Sequence, residues 1–146
     1  MVGVSTEFAD WVAKRLVEKS AGVLTDELVF DERKTDLGMA IKQAVNSKLG
    51  CCVAMRAPRI SGANGNTPDD TQYSVSIDVA VMHNAALSPK LNSILLSEHL
   101  FRQFAGVVFN AEEDTPADVR ADNLTHELNN GSKWLHLFTI THTTTI

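Results

Sequence analysis

The sequence is poor in the features that mark secreted and membrane-spanning proteins. Its 146 residues include only two cysteines, and no apolar run approaches the roughly 20 residues that a membrane-spanning helix needs. No basic segment followed by an apolar one stands at its start, so a secretory signal is not expected. We therefore expect a protein that stays in the cytoplasm where it is made, with no membrane partner.

The two cysteines, Cys51 and Cys52, are adjacent, which argues against both a disulfide and a zinc site. Neighbouring residues of a strand point to opposite faces, so a bond between them would need a strained turn. Neither cysteine belongs to a CxxC pair, and no histidine is close in sequence. We predict one core thiol and one partly covered thiol, with a vicinal redox pair as the alternative.

The sequence also lacks clustered Lys and Arg, and its formal net charge is -5. This balance argues against general binding to nucleic-acid phosphates, although a protein that surrounds DNA without gripping it is compatible with it. The length and the 44% hydrophobic content fit an ordinary globular protein. We predict that residues 1–146 form a single domain.

No motif for catalysis, for a cofactor or for a metal is present. The sequence contains no GxSxG motif of a nucleophilic serine. Gly62 and Gly65 do not belong to the GxxxxGK[ST] pattern of a phosphate-binding loop. The five histidines are His83, His99, His126, His136 and His142. They show no HxxxH or HExxH spacing, and His136 and His142 would lie about 20 Å apart on one strand. We predict no catalytic residue, no cofactor and no metal, and hence no enzyme.

The clearest pattern in the chain is the alternation from Tyr73 to Met82. Five β-forming residues occupy every second position, and Ser74, Ser76 and Asp78 lie between them. This pattern predicts a strand with one dry face, which needs a layer to pack against. The polar row on its other face is predicted to be a solvent face or the wall of a ring.

Helical spacing and turn signals predict the remaining elements. Helices are expected from Ser5 or Thr6 to Gly22, from Thr35 or Asp36 to Lys48, and from Ser88 to Val108. Further strands are expected at Leu49–Ala57 and Trp134–Thr141. Whether Val23–Phe30 forms a fourth strand is left open. Residues 110–133 are expected to be rich in loops, with a short helix at Asp118–Leu128. The predicted fold is α+β, with a small antiparallel or mixed sheet of three to four strands packed on one face by about three helices.

The segment from Pro58 to Thr71 has the glycine-, asparagine- and aspartate-rich composition of a long hairpin loop. We predict that this projecting loop and the polar row of the strand form an interaction surface. Its predicted residues are Arg59, Ser61, Gly62, Asn64, Gly65, Asn66, Asp69, Asp70, Ser74, Ser76 and Asp78.

The order of these elements resembles the tail terminator proteins of long-tailed bacteriophages and the related neck and tail-completion proteins. The matching pieces are Phe8–Leu16, the Cys51–Met82 hairpin, Pro89–Ala105 and Trp134–Thr141; the helix from Asp36 to Lys48 is an addition. The resemblance implies a structural protein that caps the tail tube and meets the head connector. It also implies a ring of copies through which DNA passes without specific binding, first in the cytoplasm and then in the virion tail.

Two other classes of function stay open. A small cytoplasmic enzyme or ligand-binding domain would have a pocket near His83 or His99. An adaptor or immunity-type module would instead pair with another protein through a sheet edge.

Overall fold

The computed structural model describes residues 3–45, 50–61, 72–109 and 117–145. The helices in these ranges are α1 (Val4–Glu18), α2 (Leu37–Val45) and α3 (Ser93–Phe104), with a 3-10 turn at Asp26–Leu28. The strands are β1 (Val29–Asp31), β2 (Cys51–Met55), β3 (Arg59–Ser61), β4 (Gln72–Asn84), β5 (Val108–Phe109), β6 (Ala117–Asn129) and β7 (Lys133–Thr145). Together they form an α+β fold whose mixed sheet curls into about half a barrel.

The sheet is built around β4, which confirms and extends the strand predicted at Tyr73–Met82. Its strand order is β1-β2-β4-β7-β6-β5, and β3 also pairs with β4. β1 runs parallel to β2, and the other pairs are antiparallel. The predicted sheet of three to four strands is therefore wrong, since seven strands take part. β1, β3 and β5 have only two or three residues each, too few for alternation to reveal them.

The largest error concerns β6, where a short helix was expected at Asp118–Leu128. β6 is a strand of 13 residues along β7. Its register shifts between Asp122 and Thr125, and Asn123 in between has a φ of 62°. A bulge of this kind adds one residue to a strand and reverses the alternation beyond it. The apolar residues Ala121, Leu124 and Leu128 consequently follow the three- and four-residue spacing of a helix.

The core lies between one face of the sheet and the helices α1 and α3. Val75, Ile77, Val79 and Val81 of β4 are fully buried there. The same cluster contains the buried sides of both helices, namely Phe8, Val12 and Leu16 of α1 and Leu96, Leu100 and Phe104 of α3. Full burial of a side chain of this size contributes about 1.5–3 kcal/mol. This packing explains why the alternating strand needs a layer on one face only.

Helix α2 lies on the opposite face, so the expectation that all helices pack on one face is wrong as well. Cys52 and Ala54 of β2 point away from the main core but are buried, at 0% and 3% exposure. α2 packs against β1 and β2, and its buried residue Ala44 stands outside the main core cluster. The outer face of the sheet is thus covered by α2 at the β1–β2 end.

The helix ends follow known capping rules with shifted positions. α3 begins at Ser93 rather than near Ser88, because the Asn92 side chain accepts a hydrogen bond from the Leu95 amide at 3.0 Å. The predicted cap Asp36 accepts from the Gly38 amide at 3.0 Å. In the described ranges, no helix is long and apolar enough to cross a membrane.

Candidate functional site

The outer face of β4 and β7 carries a ladder of hydroxyl groups. Ser74 Oγ lies 2.9 Å from Thr143 Oγ1, and Ser76 Oγ lies 3.0 Å from Thr141 Oγ1. Both contacts join directly paired positions of the two strands. Their side chains share a face because opposed residues of an antiparallel pair point the same way. The hydroxyls on this face are therefore satisfied by one another.

The ladder continues into a pair of charged groups. Thr139 Oγ1 donates to Asp78 Oδ1 at 2.9 Å, and Arg59 donates to both oxygens of Asp78 at 2.5 and 3.2 Å. On the other side, Arg120 Nε donates to Asp122 Oδ2 at 2.7 Å. Each cation is matched by an anion, so the local charge sums to about zero. We call this surface the hydroxyl face; it consists of Arg59, Ser74, Ser76, Asp78, Arg120, Asp122, Thr139, Thr141 and Thr143.

The hydroxyl face brings together part of the predicted interaction surface. Arg59, Ser74, Ser76 and Asp78 belong to it, and Ser61 pairs with Ser74 at its edge. The other predicted residues lie outside the described ranges: Gly62, Asn64, Gly65, Asn66, Asp69 and Asp70.

Sequence reasoning missed Thr143, Arg120 and Asp122 as members of this face. The polar alternation of β7 runs on past Thr141, which was a sufficient signal for Thr143. Arg120 and Asp122 had no such signal, because β6 was not expected to be a strand.

A second polar cluster lies on the inner face and joins two histidines that no sequence motif linked. His126 Nδ1 and His136 Nδ1 are 2.7 Å apart, and His136 Nε2 is 2.8 Å from Ser93 Oγ. Glu98 Oε1 faces the other ring nitrogen of His126 at 3.8 Å. We call Ser93, His136, His126 and Glu98 the histidine chain. The sequence held a signal for it, since a turn at residues 129–132 places position 126 opposite position 136 if both flanks are strands.

The histidine chain resembles a nucleophile with its base, but its surroundings leave no room for a substrate. Ser93 is 3% exposed and His136 is fully buried. Burial, together with the neighbouring imidazoles of His126 and His83, lowers the pKa of His136 to about 4. A base with so low a pKa and no open path to its hydroxyl is poorly suited to activate a nucleophile at neutral pH.

The two histidines proposed for a pocket line different hollows. His99 lines a cavity of about 530 Å³ between the end of α1 and the start of α3, beside Leu95. His83 lines a hollow of about 400 Å³ at the end of the sheet, with Ile41 and Trp134. A site that uses both histidines is therefore not formed.

Both thiols are buried, whereas one was expected to be partly covered. Burial raises the pKa of Cys51 to about 11. Burial and the neighbouring thiol raise that of Cys52 to about 12. Both remain free thiols on opposite faces of β2. Over the residues described, no group of three or more His, Cys, Asp or Glu side chains is placed to hold a metal ion.

Comparison with known proteins gives no indication of the function, so the function is argued from the features described above. No protein-family model matches the chain, and a search of the curated proteins found no match.

Proposed function

We propose that this chain is a structural protein of a bacteriophage or prophage tail that caps the tail tube and joins it to the head connector. Copies of the chain assemble into a ring, and the hydroxyl face lines the opening through which DNA passes. Assembly takes place in the cytoplasm, and the finished ring is part of the virion tail.

The observation that carries this proposal is the internal satisfaction of the hydroxyl face. A surface built to bind a ligand keeps polar groups directed at that ligand, whereas here hydroxyls bond to hydroxyls and each arginine to a carboxylate. A neutral, hydrated wall gives DNA phosphates no cluster of cations to bind. Such a wall suits a passage through which DNA must slide.

The edges of the sheet support assembly between copies. Ile60 in β3 is 63% exposed, and all three residues of this strand are exposed. On the opposite side, the outer edge of β6 from Arg120 to Asn129 has no strand partner within the described ranges. Unpaired strand edges carry amides and carbonyls that a second chain can bind. Two different edges on one subunit give the head-to-tail contact from which rings are built.

The test is sedimentation of the purified chain over a range of concentrations. We expect a closed oligomer, which Ile60→Lys at the β3 edge disrupts. The matched control is Met39→Lys, since Met39 is 65% exposed but lies on helix α2 and not on an unpaired strand edge. The control should assemble as the wild type does.

Two outcomes would contradict the proposal. A monomer at every concentration would refute ring assembly. A monomer that forms a tight complex with one unrelated protein would favour the adaptor or immunity-type module, which uses the same edge.

A further inference from the structure

The outer face of the sheet changes character along β4 and β7. Next to the hydroxyl face, the outward positions of both strands become apolar, with Ala80 opposite Leu137 and Met82 opposite Leu135. Leu137 is 41% exposed, and Met82 and Leu135 are half-buried. Helix α2 covers the outer face of β2, so it leaves part of this apolar surface uncovered.

The uncovered surface forms one wall of the hollow of about 400 Å³ at the end of the sheet. Met82 and Leu135 line it from the sheet, and Ile41 and Val45 line it from α2. The Asn84 side-chain amide donates to the Val45 carbonyl at 3.5 Å, a contact that ties the end of α2 to β4. We call this recess the α2 hollow. Its size and its apolar walls are those of a site for a small ligand.

The α2 hollow is lined by two cations and, among the described residues, by no anion. Lys42 comes from α2 and Lys133 from β7, so each wall carries an ammonium group. Both lysines are exposed, and neither forms an ion pair within the part of the chain that the structure describes. Glu127 lies opposite Leu135 on β6, but it does not line the hollow. Unlike the paired arginines of the hydroxyl face, these two cations are available to an anion from outside.

Apolar walls with two cations at the surface are complementary to an alkyl chain with a negative head group. Each methylene that such a chain buries raises its affinity about fourfold. The lysine stems are long and flexible, so both ammonium groups can reach a head group at the mouth of the hollow. The chain as a whole has a formal charge of -5, so this attraction for an anion is a property of the place and not of the net charge.

We propose that the α2 hollow binds a fatty-acid carboxylate, with its alkyl chain between the walls from α2 and the sheet and its carboxylate between Lys42 and Lys133. The proposal goes beyond the proposed function and does not depend on it, since the hollow lies within one subunit.

The proposal is tested by NMR titration of the full chain with isotope-labelled methionine methyl groups. The probe is sodium dodecanoate, kept below the concentration at which it forms micelles. The Met82 resonance should shift until it saturates, whereas that of Met55, which is fully buried in the core, should stay in place. Decanoate should bind about tenfold more weakly, because it buries fewer methylenes. Dodecyltrimethylammonium has the same alkyl chain, and it should also bind about tenfold more weakly because the lysines repel its head group.

Single substitutions locate the head group of the bound probe. Lys42→Gln and Lys133→Gln should each weaken dodecanoate binding about two- to fivefold, the contribution of one exposed ion pair. Both lysines are on the surface, so neither substitution should alter the fold. The matched control is Lys90→Gln, since Lys90 is also exposed but lines the cavity of about 530 Å³ beside α3. This control should bind dodecanoate as the wild type does.

Four results would overturn the proposal. The first is a Met82 resonance that dodecanoate does not move, and the second is equal binding of dodecyltrimethylammonium. The third is weaker binding in Lys90→Gln alone, which would place the ligand in the other cavity. The fourth is a Met82 shift that appears only with vesicles of phosphatidylglycerol, which would indicate a membrane surface and not a free carboxylate.

Discussion

The Nδ1 atoms of His126 and His136 lie 2.7 Å apart across the β6–β7 hairpin, and the buried ring is held in its neutral form. This contact links β6 to β7, and neither histidine belongs to a recognisable sequence motif. The lowered pKa of His136 has a measurable consequence for folding stability.

The first prediction concerns the pH dependence of stability. The pKa of His136 is about 4 in the folded chain, against an ordinary value of 6.5. The unfolded chain therefore binds a proton in this interval that the folded chain does not. Stability from this group is complete above pH 6.5 and decreases as the pH falls to about 4. The expected total is roughly 3–4 kcal/mol, since each pH unit of this interval corresponds to about 1.4 kcal/mol.

Urea unfolding of the wild type and of His136→Gln at several pH values measures this term. The variant should be less stable at neutral pH but should lose less stability on acidification. Parallel curves for the two proteins across the whole interval would contradict the assignment.

The second prediction separates a buried ion pair from an exposed one. Asp31 is 7% exposed, and Arg33 binds both of its oxygens and also Asp10. Burial alone would raise the pKa of Asp31, but the bonds to Arg33 outweigh this and hold it below its usual range. Arg33→Met should destabilise the chain by about 3 kcal/mol, because a buried carboxylate loses its partner.

The comparison for that variant is Arg59→Met. The side chain of Arg59 is 59% exposed, so its pair with Asp78 should contribute less than about 1 kcal/mol. Chemical denaturation of both variants gives the two values. Equal losses of stability in the two variants would contradict the prediction that the buried ion pair contributes more than the exposed one.

The third prediction concerns the thiols. Cys51 and Cys52 are at most 3% exposed, and their pKa values of about 11 and about 12 leave almost no thiolate at neutral pH. Since the thiolate is the reactive form, a colourless disulfide reagent should label neither residue in the native chain. Both should react once urea unfolds it. Rapid labelling of native protein would show that β2 is not covered by α2 and the core.

Sequence reasoning succeeded where one strand faces one dry layer. β4 was found because its apolar residues alternate without interruption, and α1 because Phe8, Val12 and Leu16 keep one helical stripe. These patterns report which face is dry, and that is the information that packing uses.

It failed where the pattern depends on distant residues. The bulge at Asn123 gave the apolar residues of β6 a helical spacing, so β6 was predicted as a helix. Without β6 as a strand, His126 could not be predicted as the partner of His136. The apolar stripe of α2 gave no sign of which face of the sheet it would cover. That choice depends on Cys52 and Ala54 of a neighbouring strand, which local spacing does not report.

The most direct test of the account is electron microscopy of the chain labelled with gold at single introduced cysteines, since the native thiols are covered. Thr143→Cys places the label on the hydroxyl face, and Leu95→Cys places it on α3, which packs on the opposite face of the sheet. The account predicts rings with gold at the central opening for Thr143→Cys and at the outer rim for Leu95→Cys. The absence of rings, or gold from Thr143→Cys at the rim, would contradict it.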